Sequence, residues 1–292
     1  YHDVCTNGIG YVDLMFKTDS IAPEQIPYLG LLKSVLGYVD TENYTYGELF
    51  NEINANTGGI NCGVEVFDRA DSTEEFQAMF SVRGKALYTK MDFLFKMIGE
   101  ILNSSKLEDT KRLYEIVASV KSRAQVNLTG AGHSTAVLRA AAYSSPMAAF
   151  QDEMAGIGYY QFIEKLEKDF EQRKEETVEE LCKLMKKILR PENFMISYTG
   201  ERESLETVQK LAGAVKAGLG TEPVEKSEEK LTCTKKNEGF KTSGQVQYVA
   251  QTGNFKKKGL EYTGALEILK VILSYDYLWM NLRVKGGAYG CM

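Results

Sequence analysis

Near the end of the chain the run RVKGGAYG places Arg283 and Tyr289 six positions apart, with Gly286 and Gly287 between them. Arginine supplies a fixed cation with several donors, and tyrosine supplies a neutral O–H donor. Six residues is too far for neighbours on one helix face. A bend at the glycine pair would bring both side chains to one rim, where together they can hold a substrate carbonyl or stabilise an oxyanion. The same run also reads without chemistry, as a helix C-terminus that favours Arg283, a glycine turn and a core tyrosine. Spacing alone favours this plainer reading.

The other residues capable of chemistry are sparse. The two histidines, His2 and His133, are far apart and neither has a ligand partner at motif spacing. A catalytic zinc commonly takes two or three histidines, so a self-contained histidine metal site is not expected. His133, in LTGAGHSTA, reads as a structural residue at a break between two helices. Five cysteines, Cys5, Cys62, Cys182, Cys233 and Cys291, form no CxxC pair and are odd in number. They read as small buried hydrophobes in a reducing compartment, which suggests a cytoplasmic protein. Cys62, in GGINCGV, is assigned to a strand rather than to catalysis, for want of a nucleophile motif. TGAGH and GLGTEP match neither GxGxxG nor GxxxxGK[ST], so no nucleotide site is expected. Lys256, Lys257 and Lys258 form a basic patch, but Lys+Arg 35 against Asp+Glu 40 gives a formal charge of -5. That balance argues against nucleic acid as a partner. Asp68 with Asp71, and Glu74 with Glu75, read as turn and edge residues without metal-loop spacing.

The elements that must position these residues follow from periodicity. With 292 residues, 43% hydrophobic and 26% charged, the chain has the mixture of an ordinary globular protein. No apolar run approaches the roughly 18 residues of a membrane span, and no secretory leader is present, so no membrane is expected as a partner. GIGYVDLMFK partly alternates as a strand with a well-buried face. IPYLGLLKSVLGYV puts Leu29, Leu32, Val35 and Leu36 on one helical stripe, with Pro23 and Pro27 near its start. YTYGELFNEINANTGG reads as a helix capped by Thr45 with Glu48, and stopped by Gly58 and Gly59. INCGVEVFD and EEFQAMFSVRG predict adjacent antiparallel strands joined through RADST. Leu87, Met91, Leu94, Phe95, Ile98 and Leu102 predict one amphipathic helix. Further helices follow through RLYEIVASVKSRAQVNL, HSTAVLRAAAYSS and residues 159–189, the last with a solvated Lys/Glu face. NFMISYTG reads as a strand and ERESLETVQKLAGAVKAGLG as a helix.

Residues 221–241 are polar and aperiodic, the composition of a linker. Beyond them SGQVQYVAQTG predicts a strand (245–250), YTGALEILKVILSYDYLWMNLRV a helix (264–280), and KGGAYG the start of another strand. The order strand, helix, Gly-Gly, strand near the C-terminus weakly echoes that near the N-terminus. These elements predict an α+β fold, an antiparallel sheet with helices packed on one face. Residues 1–220 would form a complete domain, 221–241 a linker, and 242–292 the truncated start of a second, homologous domain. The chain begins at Tyr1 and stops just after GGAYG, as a piece of a longer polypeptide would.

TNGIGYVDLMF, IPYLGLLKSVLGYV, YTYGELFNEINANTGG, NFMISYTG, SGQVQYVAQTGNF and YTGALEILKVILSYDYLWMNLRVKGGAYG together resemble the C-terminal half of the pitrilysin/insulinase-type zinc metallopeptidases, in the presequence-protease branch. The resemblance covers essentially the whole chain. It implies four homologous domains in two halves around a chamber, of which this chain would hold the third and the opening of the fourth. It implies a zinc carried by a His-x-x-Glu-His motif in the N-terminal half, with an arginine and a tyrosine of the fourth domain reaching the substrate and the developing oxyanion. Arg283 and Tyr289 match those two residues, catalytic and substrate-binding at once. The chain itself contains no HxxEH, so no zinc is expected in it. The partners so implied are the N-terminal half of the same polypeptide and short unstructured peptide substrates. The alternative is a non-catalytic, structural or peptide-holding member of the same fold family. The fragment alone is expected to be inactive, and its unpaired second-domain elements are expected to drive self-association.

Overall fold

Strand β2 (Ile9–Lys17) carries Val12, Leu14 and Phe16 on one face, and all three are buried in the computed structural model, which describes every residue except 228, 230, 243 and 292. The opposite face presents Tyr11, Asp13 and Lys17. The alternation therefore has one greasy and one polar side, and the helices cover the greasy one. The first turn Pro23–Gln25 leads into helix α1 (Ile26–Val35), in which Leu29, Leu31, Leu32 and Val35 are all buried. A helix apolar all round belongs in a core rather than on a surface. Helix α2 (Tyr46–Asn56) is capped as expected: Glu48 N–H donates to Thr45 Oγ1 at 3.3 Å, and Thr45 N–H donates to Glu48 at 2.9 Å.

Strands β3 (Ile60–Asp68) and β4 (Phe76–Leu87) pair antiparallel, and β4 pairs antiparallel with β2. The far strand β5 (Phe194–Gly200) lies against the other edge of β2, antiparallel, with the short β1 (His2–Asp3) parallel outside it. The sheet order is β1-β5-β2-β4-β3. Leu87 ends β4 instead of starting the next helix, and α3 (Met91–Ser104) begins after a single turn. This helix lies close on the sheet: a Cβ at Gly84 would come within 2.7 Å of Leu94.

Helices α4 (Thr110–Gly130), α5 (Gly132–Ala142), α6 (Pro146–Ala155), α7 (Ile157–Lys168) and α8 (Phe170–Ile188) build the rest of the helical layer, and α9 (Leu205–Ala217) packs against α3 and β5. The long charged stretch is helical as expected but breaks at Asp169 into α7 and α8, which lets Ile163, Leu166 and Phe170 all reach the core. The fold is thus mixed α and β, with a five-stranded sheet and nine α-helices in this part among the described residues.

The chain forms two compact units, Tyr1–Thr252 and Gly253–Met292. The contact boundary leaves residues 221–252 with the first unit. Residues 228 and 230 of the expected linker, and 243 and 292 of the expected second domain, lie outside the described residues. The described part of 221–252 has no helix or strand, yet it is tied down. Arg190 donates to the Glu222 carbonyl, Leu231 packs on the core, and Glu238 pairs with Arg139 at 2.9 Å and accepts from Tyr143. Arg139 also pairs with buried Asp152 at 2.6 Å, and that carboxylate accepts the Ile157 and Gly158 N–H groups that open α7.

Two strand expectations fail in this region. Residues 245–250 alternate like a strand but pair with neither sheet edge, and without a partner an alternating sequence has no ladder to join. KGGAYG likewise forms a turn and irregular chain. The helix of the second unit is present, as α10 (Ala265–Ile272) continued by a π-helical segment, Leu273–Lys285. Its apolar side chains, among them Ile268, Ile272, Trp279 and Leu282, are exposed. Among the described residues no helix is long and apolar enough to cross a membrane.

Candidate functional site

The π-helical segment stops because Gly287 takes a left-handed φ of 74°, a conformation glycine adopts without penalty. Its N–H donates to the Arg283 carbonyl at 3.0 Å, and Ala288 N–H donates to the Leu282 carbonyl at 3.0 Å. Gly286 is needed for a different reason: a Cβ there would sit 2.6 Å from the Leu282 carbonyl oxygen, which is backbone and cannot rotate aside. The resulting hook turns the chain back over its own helix end.

That hook brings the two expected residues together. The Arg283 guanidinium donates through Nη1 to the Tyr289 carbonyl and lies 5.6 Å from the centre of the Tyr289 ring. It also stacks over Trp279, 4.5 Å from that ring centre. Trp279 falls outside the RVKGGAYG motif, yet it stands four residues before Arg283, the ordinary spacing of a helix-face pair. A cation held over an indole gains about 0.5–1 kcal/mol at an exposed site. Tyr289 is 90% exposed, so in this chain it is no core residue. The arrangement offers a positioned cation beside a neutral hydroxyl donor, both open to an incoming oxygen.

The remaining candidates stay apart. His2 stands in β1 and His133 in the first turn of α5, its ring 6.3 Å from Tyr248. Cys62 lies in β3 opposite Val82, and burial pushes its thiol up to about 12, which keeps it un-ionised near neutrality. Lys256, Lys257 and Lys258 form a single exposed turn closed by Gly259. Asp71 and Glu75 each pair with Arg69 at 2.8 Å, as turn and edge residues would. Among the described residues no group of three or more His, Cys, Asp or Glu side chains is placed to hold a metal ion. The donor set does not fit zinc.

A second cluster had no motif to announce it. On the uncovered sheet face Arg83 bridges Asp13, at 2.8 Å through Nε, and Glu65. The other Asp13 oxygen, Oδ1, is buried and has no hydrogen-bond partner among the described residues. The signal available was one carboxylate inside an apolar strand facing two cations two residues apart, Arg83 and Lys85, in its neighbour. The pairing of those strands is long-range, and so was invisible in the local pattern.

Residues 1–166 match a family model described as the associated domain of subfamily C of the sixteenth metallopeptidase family. The chain is 38% identical over 290 residues to Protein HypA of Clostridium perfringens, covering 99% of this chain and 30% of that protein. It is 28% identical over 293 residues to presequence protease 1, chloroplastic/mitochondrial, of Arabidopsis thaliana, covering 99% of this chain and 27% of that protein. To the mitochondrial presequence protease of Yarrowia lipolytica it is also 28% identical over 293 residues, covering 98% of this chain and 29% of that protein. The chain thus spans about three tenths of the length of these relatives.

Proposed function

The chain belongs to this peptidase-associated family of the pitrilysin/insulinase group, and from that membership we propose that it is the zinc-free part of a zinc metalloendopeptidase that cleaves short unstructured peptides. Zinc would be held by another part of the whole protein, since the donors here do not suit it. What this chain contributes is Arg283 and Tyr289. The observation that carries the reading is their arrangement: a guanidinium steadied by Trp279 and by the Tyr289 carbonyl, beside a fully presented phenol. Arg283 would hold the substrate main chain, and the Tyr289 hydroxyl would donate to the oxygen that gains charge as the carbonyl is attacked. The exposed apolar side of 265–285 supports an interface with the rest of the polypeptide, or self-association where that is lacking. Five cysteines without a disulfide support a reducing interior such as the cytoplasm.

The test is kcat and KM of the full-length protein on one quenched peptide. Tyr289→Phe removes only a hydroxyl, and losing one oxyanion donor costs about 2.7–4 kcal/mol elsewhere, so turnover should fall roughly 100-fold with folding and zinc content unchanged. Arg283→Ala should also raise KM. Wild-type turnover in Tyr289→Phe would remove the residue from the chemistry. A full-length protein that binds no zinc and cleaves nothing would leave a peptide-holding member of the fold.

A further inference from the structure

Strands β2, β4 and β5 turn a second, uncovered face away from the helices, and its register sets hydrogen-bonding side chains in two cross-strand rows. Thr199, Tyr11 and Lys85 form one row, and Ser197, Asp13 and Arg83 the next. These residues line an open concavity of about 470 Å³. We propose that this concavity binds an extended, unstructured peptide segment, Asp13 Oδ1 accepting a main-chain N–H and the Lys85 ammonium donating to a main-chain carbonyl.

Three observations lead there. The buried Asp13 Oδ1 lacks a donor although its partner oxygen is paired with Arg83, and a buried carboxylate oxygen left unfilled is costly unless something supplies an N–H. The charged groups at the site, Asp13, Glu65, Arg83 and Lys85, sum to zero, which suits neither a polyanion nor a strongly basic ligand but does suit neutral amides. The two rows are two residues apart along β2, roughly 6.5–7 Å, and an extended peptide repeats its N–H and C=O groups on one side at that interval. Lys85 runs its stem over Gly58, where any Cβ would come within 2.6 Å of it, so its ammonium is kept at the rim and away from the Asp13–Arg83 pair.

This proposal deepens the peptidase reading and rests on it for the class of ligand, but not for its test. Binding of a dye-labelled, neutral, unstructured peptide of about 15 residues to the full-length protein is followed by fluorescence anisotropy, with a chelator present to stop cleavage. Asp13→Asn and Lys85→Met should each raise Kd about tenfold, as expected for one charge-assisted hydrogen bond, with unchanged melting curves. If Asp13→Asn fails to fold, Lys85→Met decides alone, because it leaves the Asp13–Arg83 pair in place. Unchanged Kd in the folded variants, or no binding by the wild type, overturns the site. Loss of hydrolysis with Asp13-dependent binding intact would instead overturn only the peptidase reading.

Discussion

Gly287→Ala asks whether the hook itself, and not merely the presence of Arg283 and Tyr289, is needed. Gly287 has a φ of 74°, and no heavy atom lies within 4 Å of a Cβ added there. The methyl group therefore meets nothing, and the whole cost is local: roughly 1–2 kcal/mol for a left-handed alanine. With about 1.36 kcal/mol per factor of ten, the population of the hooked form should fall about 5- to 30-fold against unhooked alternatives of similar energy. If the Arg283–Tyr289 arrangement acts on substrate, kcat/KM of the full-length protein should fall by the same factor. Gly287→Asn is the companion variant, since asparagine tolerates the left-handed region, and it should keep activity within about threefold. The assay is hydrolysis of one quenched peptide, with a melting curve for each variant. Gly287→Ala within twofold of wild type would refute the requirement for the hook. An equal loss in Gly287→Asn would refute φ as the cause.

Two further outcomes concern the first unit. Asp152 is 1% exposed, pairs with Arg139 and accepts two N–H groups at the start of α7, so Asp152→Ala breaks a buried ion pair and a helix cap together. Such losses cost about 3–5 kcal/mol; with Glu238 still beside Arg139 the lower end applies, a fall in Tm of about 6–12 °C. A fall under about 2 °C would show the network to be dispensable. Hydrogen bonds from Arg139, and then from Tyr143, hold the Glu238 carboxyl below its ordinary range. A depressed folded-state value means that the stabilisation is full above about pH 4.3 and is lost as pH falls through the folded value. Amide protection around residue 238, corrected for intrinsic exchange, should therefore weaken in acid, and Glu238→Gln should weaken it at pH 7. Equal protection in both comparisons would show that other contacts hold the segment.

Local pattern was enough for the elements whose physics is local. The alternation of β2, the capping box at Thr45 and Glu48, the stripe of Leu29, Leu32 and Val35, and the run Ile60–Asp68 all appear where periodicity and capping chemistry put them. The juxtaposition of Arg283 and Tyr289 was also readable, because the agent is a glycine pair a few residues long. The break at Asp169 was not, since each half of that stretch is a good helix and only the shape of the core directs Phe170 inward. Residues 245–250 show the converse: alternation states which face a strand would bury, but a strand exists only where another edge offers hydrogen bonds. Nor could composition reveal that the polar stretch after residue 220 is tied to Arg139 and Arg190, charges far away along the chain. The same holds for Asp13. Its unfilled oxygen depends on where β4 places Arg83, a partner 70 residues distant, and side chains so separated meet only once the sheet has chosen its register.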